Sequence, residues 1–307
     1  MIDILMATFN GERYLKEQLD SILSQTYQDF QILIRDDNST DNTVCILEDF
    51  KNKYPQKIVL IKDDTICGSS VSNFMQLSKY ATSEYAMYCD QDDFWLPNKI
   101  EITLKEMKKI EKEIGESSPI LVFADYIPVN ENLKKIKSNP SNNQINAYNL
   151  DFNRLLVQNY VTGCLMMMNK ALYIKMGNYR KEILMHDWWA ALIASSMGRV
   201  SHIHENVMLY RQHKNNVVGA VNVKSMSYRI EKFFDKNTKN MKFKYRDQAL
   251  LFFNRYKNFL DKEKRYQLQK FLEIYNTKSK LKRIIMLIRG KYWKSDIVRK
   301  IAQIWYI

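Results

Sequence analysis

An α/β fold, built on a mostly parallel sheet and followed by a basic helical extension, is predicted by three observations. Short apolar runs alternate with amphipathic helical stretches through the first two thirds of the chain, the pattern of strand–helix–strand units. Several of those runs stop abruptly at carboxylates. Charge is also unevenly divided: residues 221–307 hold 23 Lys/Arg and 7 Asp/Glu, whereas residues 1–220 hold 24 and 27. The basic character therefore belongs to the C-terminal part alone.

At 307 residues the chain exceeds the usual single-domain size, so a main domain over residues 1–220 and an appended region over 221–307 are expected. The 8 glycines and 5 prolines exclude collagen-like or low-complexity segments. Cys45, Cys67, Cys89 and Cys164 are widely spaced, which predicts buried free thiols rather than a disulfide framework. The N-terminal Met1-Ile2-Asp3-Ile4-Leu5 lacks the basic and long apolar regions of a signal peptide. No apolar run approaches a membrane span. Cytosolic residence is the expectation, with membrane contact only at the surface.

In order, residues 2–8 read as a buried strand running into the turn Phe9-Asn10-Gly11. Leu15, Leu19, Ile22 and Leu23 then mark a helix face. Phe30–Ile34 is a second strand, ending at the polar turn Arg35-Asp36-Asp37-Asn38-Ser39-Thr40-Asp41 before a helix carrying Val44, Leu47 and Phe50. Ile58–Ile61, the helix around Phe74, and the strand at 85–89 follow. A helix runs from Pro97 to about Ile114, then a strand over Ile120–Tyr126, a polar excursion over 130–149, and a short strand at Leu165–Met168. An apolar helix after His186 and a strand at Val200–His204 complete this part. No two glycines stand as G-x-G, which removes both the dinucleotide fingerprint and the P-loop.

The strand at 85–89 ends in Asp90-Gln91-Asp92-Asp93, three carboxylates within four residues. Such charges coexist only if solvated, protonated or sharing a cation. A solvated turn is one reading. The other is an oxygen-ligand site for Mg²⁺ or Mn²⁺ at the carboxyl end of a strand, where open α/β sheets bind their ligands.

Asp36/Asp37, Asp90/Asp92/Asp93 and Asp187 form three strand-end acid groups. With Ala7-Thr8-Phe9-Asn10, Ser24-Gln25-Thr26-Tyr27 and His186-Asp187-Trp188, their order and spacing resemble the family-2 glycosyltransferases, which have the GT-A nucleotide-diphosphosugar fold. The resemblance covers residues 1–220. It implies donor contacts from Ala7, Thr8, Phe9, Asn10, Asp36, Asp37, Asp90, Gln91 and Asp93, with Phe9 stacking on the nucleobase and Asp37 accepting a uracil or thymine N–H. A plain core role is the alternative for Phe9.

By the same resemblance Asp92 would be the ligand of a divalent metal that neutralises the diphosphate. His213 is a further metal or diphosphate contact, or else a surface histidine, and Arg211 would fork onto the diphosphate. Asp187 corresponds to the general base that deprotonates the acceptor hydroxyl, preceded here by His186 where the family usually has Glu. Gly163, His186 and the Trp188-Trp189 pair would line the acceptor side, although the tryptophans suit a helix core equally well. His202 and His204 share a strand face without an acid partner in register, and read as structural.

Residues 243–275 look helical and basic. Trp293, Ile297, Ile301, Ile304 and Trp305 then form one helical stripe with Lys/Arg off it. An anionic membrane surface suits that pattern. Packing on the catalytic domain or on a second copy competes with it, and nucleic acid ranks last. The expected activity is metal-dependent, inverting transfer of rhamnose from dTDP-rhamnose to a polyprenyl-diphosphate-linked cell-surface glycan. UDP-glucose and UDP-galactose are the runner-up donors. A nucleotidyltransferase lacks its Gly-rich triphosphate loop here, and a non-catalytic glycan- or membrane-binding module is the remaining class.

Overall fold

The computed structural model describes residues 1–136, 150–214, 236–295 and 297–307. The expected boundary at 220/221 and most of the 130–149 excursion lie outside them. Its strands are β1 (Ile2–Thr8), β2 (Phe30–Asp36), β3 (Ile58–Leu60), β4 (Tyr85–Cys89), β5 (Phe94–Trp95), β6 (Ile120–Val129), β7 (Met166–Asn169) and β8 (Arg199–Arg211). Its helices are α1 (Leu15–Leu23), α2 (Thr43–Lys53), α3 (Ser70–Leu77), α4 (Lys99–Ile114), α5 (Phe152–Leu155), α6 (Lys170–Met176), α7 (His186–Met197), α8 (Lys236–Tyr256), α9 (Lys262–Asn276), α10 (Lys280–Arg289) and α11 (Ile297–Tyr306).

One mixed sheet runs in the order β3-β2-β1-β4-β7-β6-β8-β5. It is parallel across β3-β2-β1-β4 and between β6 and β8, and antiparallel at both edges of β7 and at β5. Alternation along each strand divides the core in two. Ile2, Ile4 and Met6 of β1, with Tyr85, Met87 and Cys89 of β4, face α1, α2 and α4. Leu5, Ala86 and Tyr88 face α3, α6 and α7.

That second core is continuous with the C-terminal helices: Phe252, Tyr256, Leu268, Phe271 and Leu287 bury among Phe152, Trp188 and Trp189. The basic region thus packs on the catalytic part through its inner faces. Trp293 also packs partly against this core, ahead of the start of α11, so it leaves the stripe that the helical spacing had assigned it to. Within the described residues no helix is long and apolar enough to cross a membrane. All four cysteines are free, but only Cys89 and Cys164 are buried; Cys45 is exposed and Cys67 half-buried.

Candidate active site

The parallel strands β1, β2 and β4 end together, so the turns after Thr8, Asp36 and Cys89 form one rim. Thr8 donates its hydroxyl to Asp36 Oδ1 at 2.8 Å, and Asp36 Oδ2 accepts the Ser39 N–H at 2.7 Å. Asn10, at φ 48°, accepts the Thr40 N–H at 2.8 Å. Ala7 is half-buried beneath them. Asp37 accepts the N–H groups of Cys67 and Gly68 at 2.7 and 2.8 Å, and Arg35 at 3.3 Å. It therefore anchors the loop after β3, while Oδ2 keeps a lone pair for another donor. A cleft of about 440 Å³ opens beside Asp36, between Val44, Leu47, Leu60 and the 62–66 loop. Phe9 is 56% exposed, so its ring is not in the core.

Gln91 differs from the donor contact expected of it. Its carboxamide is taken up at both ends by the Phe9 backbone, at 2.8 and 2.9 Å. Arg211 also departs from expectation. It is 1% exposed, and its fork is occupied: Nε donates to the Asp92 carbonyl at 2.8 Å, Nη1 to the Glu131 carbonyl and Nη2 to Glu17. Its backbone N–H holds Asp93 Oδ1 at 3.1 Å. Burial turned this guanidinium into a brace for the acidic turn instead of a diphosphate fork.

His213 Nε2 lies 2.8 Å from Asp92 Oδ2. Asp93 is fully buried with Oδ2 unpartnered among the described residues. Burial, then the neighbouring Asp92 charge, raises Asp90 to about 7; the same causes push Asp93 well above the carboxylate range. Beneath them Lys99 is fully buried, its Nζ 3.6 Å from the Trp95 ring centroid and donating to the Cys164 carbonyl. Burial lowers that amine to about 8. Crowded carboxylates, one orphaned oxygen and an adjacent imidazole form a donor set that suits Mn²⁺ or Mg²⁺.

Asp187 stands in the first turn of α7 and is buried. Oδ1 accepts the Asn159 amide at 3.0 Å and the Trp188 N–H at 2.6 Å, and Oδ2 accepts the Gly163 N–H at 3.0 Å. Burial nonetheless raises it to about 7, against those donors. The Gly163 N–H holds Asp187, while Sγ of the adjacent Cys164 lies within 4.8 Å of carboxylate oxygens of Asp90 and Asp93, so the 163–164 segment links the two groups of acids. His186 packs on Phe74 and Tyr88 with ring centroids 4.4 and 4.7 Å away, and burial lowers it to about 3.

The tryptophan pair is core: Trp189 is fully buried with its N–H on the Met176 carbonyl at 3.0 Å, and Trp188 donates to the Leu155 carbonyl. Neither ring is presented to a sugar. His202 does have an acid partner, Asp125 Oδ1 at 2.7 Å, from the neighbouring strand β6. Lys99 and Asn159 were not singled out from sequence. A lysine in a Lys-rich helix and an asparagine in a polar loop carry no local signal of burial or of partners distant in sequence.

The family model for glycosyl transferase family 2 matches residues 3–177. The dTDP-rhamnosyl transferase RfbG of Shigella flexneri is 32% identical over 226 residues, which is 70% of this chain and 74% of that protein. The Escherichia coli UDP-Glc:alpha-D-GlcNAc-diphosphoundecaprenol beta-1,3-glucosyltransferase WfgD is 30% identical over 109 residues, 36% of this chain and 42% of its own. Among solved structures, S. aureus TarS 1–349 superposes with TM-score 0.58 at 17% identity, covering 94% of this chain and 78% of that one. The mannosyltransferase PcManGT from Pyrobaculum calidifontis, in complex with GDP-Man and Mn²⁺, gives TM-score 0.54 at 14% identity, covering 99% and 82%. These two structures speak to the fold.

Proposed function

The chain belongs to glycosyl transferase family 2, with the GT-A fold, and from that premise we propose a metal-dependent inverting rhamnosyltransferase that uses dTDP-rhamnose. The observation that carries the chemistry is Asp187: a buried carboxylate, raised to about 7, held by the Gly163 N–H next to Cys164, whose Sγ lies within 4.8 Å of Asp90 and Asp93 carboxylate oxygens. A carboxylate of that basicity is suited to accept a proton near neutral pH.

In this reading Asp187 takes the acceptor hydroxyl proton as that oxygen bonds to the anomeric carbon. The bond from that carbon to the diphosphate oxygen breaks, and the nucleoside diphosphate leaves with the electron pair. A single displacement inverts the configuration. Asn159 and the Gly163 N–H hold Asp187 in position throughout. Asp92 and His213 would hold the cation, which supplies charge neutralisation to the diphosphate. Arg211 and Lys99 keep the acidic turn in place beneath, and Phe9 offers an exposed ring to the base. The choice of rhamnose rests on the similarity to RfbG. UDP-glucose is the second reading, favoured by the similarity to WfgD, whose diphosphoundecaprenol acceptor also supports a diphosphate-lipid acceptor here.

The C-terminal helices support a place at a membrane surface. Leu281, Ile285 and Ile288 on α10, and Ile297, Ile301 and Trp305 on α11, are exposed along rows spaced by three or four residues. Lys280, at the start of α10, lies 5.5 Å from the Trp305 ring centroid and donates to the Trp305 carbonyl at 3.1 Å, so the start of α10 meets the end of α11. Exposed Lys282 and Arg289 border the α10 row.

The deciding experiment is a panel of dTDP- and UDP-sugars with Mn²⁺ or Mg²⁺, read by nucleoside diphosphate release and by donor-induced thermal stabilisation. Release and stabilisation with dTDP-rhamnose, both abolished by EDTA and by Asp92→Asn, are expected. Stabilisation by no nucleotide sugar in the presence of metal would overturn the reading.

A further inference from the structure

Away from the carboxylate site, two imidazoles and a carboxylate converge on one face of the sheet where β6 and β8 run side by side. His202 and His204 are two residues apart on β8 and leave the same face. Phe123 pairs with His202, and Asp125, two residues further along β6, leaves the same face as Phe123; the register shifts after Ala124, so that Asp125 pairs with Asn206 while its carboxylate stays beside both histidines. His202 Nε2 is 2.7 Å from Asp125 Oδ1, and His204 Nδ1 is 4.0 Å from Asp125 Oδ2. One ligand atom from each of the three lies within 4.8 Å of the others.

The Phe123 ring stacks on His202 at 4.6 Å and 12°, fixing the plane of that imidazole. The His204 side chain is 71% exposed and can rotate. Neither imidazole enters the transfer chemistry, and neither belongs to the acidic rim.

We propose that Asp125, His202 and His204 bind a divalent transition metal, with Zn²⁺ the best match and water as the fourth ligand. Tetrahedral bonds of about 2.0–2.1 Å put ligand atoms roughly 3.3 Å apart. The 2.7 and 4.0 Å separations bracket that value, so a small rotation of His204 and of the Asp125 carboxylate closes the triad. Two imidazoles with one carboxylate favour Zn²⁺, Ni²⁺ or Cu²⁺ over the Mg²⁺ or Mn²⁺ suited to the crowded carboxylates. The two sites therefore differ in ligand chemistry as well as position. Once filled, the triad would pin β6 to the strand that carries Arg211.

The test uses the full-length chain in an Asp92→Asn background, so that the carboxylate site contributes little. Co²⁺ is titrated as a spectroscopic probe and then displaced with Zn²⁺. One Co²⁺ per chain with intense tetrahedral visible bands, lost on Zn²⁺ addition, is expected, together with a Zn²⁺-dependent rise in Tm. His204→Ala changes only an exposed side chain. It should abolish the bands and weaken Zn²⁺ binding at least tenfold with an unchanged circular dichroism spectrum. Asp125→Asn keeps a hydrogen-bond acceptor for His202 but loses the anionic ligand, and should weaken binding similarly. Bands and stoichiometry that survive His204→Ala, or the absence of any bound Co²⁺ in the Asp92→Asn protein, would overturn the proposal.

Discussion

Gln91 grips Phe9 by both backbone atoms: Oε1 accepts the Phe9 N–H at 2.8 Å, and Nε2 donates to the Phe9 carbonyl at 2.9 Å. This two-point clamp ties the turn after β4 to the turn after β1 across 82 residues. It holds the Phe9 backbone beside the acidic turn. Gly11 permits it, since a Cβ there would stand 2.3 Å from Gln91 Oε1.

Gln91→Glu removes the Nε2 donor and places a fourth negative charge near the cluster. Loss of one such hydrogen bond is worth about 1 kcal/mol, and repulsion of the diphosphate adds to it. The donor KM should rise roughly tenfold, 1.4 kcal/mol being one decade, with a smaller change in kcat. A steady-state titration of the donor checks this; an unchanged KM would mean that the clamp does not position the donor site.

Asp187 gives a pH signature. With its pKa raised to about 7 by burial, the base form is lost as pH falls through that value. The rate should drop tenfold per pH unit below about 7 and level off above it. Asp187→Asn should lower kcat by about 10²–10⁴ without unfolding. Asn159→Ala removes a donor that stabilises the charged form, so its acidic limb should shift to higher pH. A profile of nucleoside diphosphate release against pH for the three proteins reads all of this.

The part of this molecule legible in sequence is the part governed by local periodicity. The runs at 2–8 and 85–89 became β1 and β4 with those bounds, because burial on both faces of a strand leaves a nearly continuous apolar run, interrupted inside β1 by the buried Asp3 alone. The acids at strand ends were legible for the same reason, as abrupt breaks in such runs. Functions of single side chains depended on partners far along the chain. Arg211 looked available for a diphosphate until Asp92, Glu131 and Glu17 converged on it from three elements. Trp188 and Trp189 looked equally suited to sugar or core until α8 covered them, with Tyr245 and Phe252 against their rings. The acid partner of His202, Asp125, lies 77 residues earlier on β6, a pairing that local periodicity does not reveal.

Gly163 has a steric reason to be glycine. A Cβ at this position would lie 2.5 Å from His186 Nε2, and the packed rings of Phe74 and Tyr88 leave His186 little room to retreat. Gly163→Ala should therefore displace the loop and lengthen the hydrogen bond from its N–H to Asp187. The expected outcome is a fall in kcat of about tenfold or more, with little effect on the donor KM. The double variant Gly163→Ala/His186→Ala relieves the collision and should recover part of the loss. Without such recovery, the contact is not what constrains the base.

The rows on α10 and α11 make the membrane reading quantitative. Ile297, Ile301 and Trp305 are 73%, 54% and 60% exposed, while Leu287 on the opposite side of α10 is fully buried in the core. The outward row is thus surplus to folding, and replacing it should cost little stability. Full burial of such side chains in an apolar phase is worth about 1.5–3 kcal/mol each, and bordering cations add about 1 kcal/mol apiece at an anionic surface. The triple substitution Ile297→Ser, Ile301→Ser, Trp305→Ser should leave Tm within a few degrees. It should lower co-sedimentation with phosphatidylglycerol vesicles at least tenfold. Wild-type binding should weaken in high salt, because screening removes the charged contribution, and should be lower on neutral phosphatidylcholine vesicles. Wild-type protein that ignores anionic vesicles, or a triple variant that binds them equally well, would leave packing against a second copy as the role of this face, which sedimentation at rising protein concentration would then reveal.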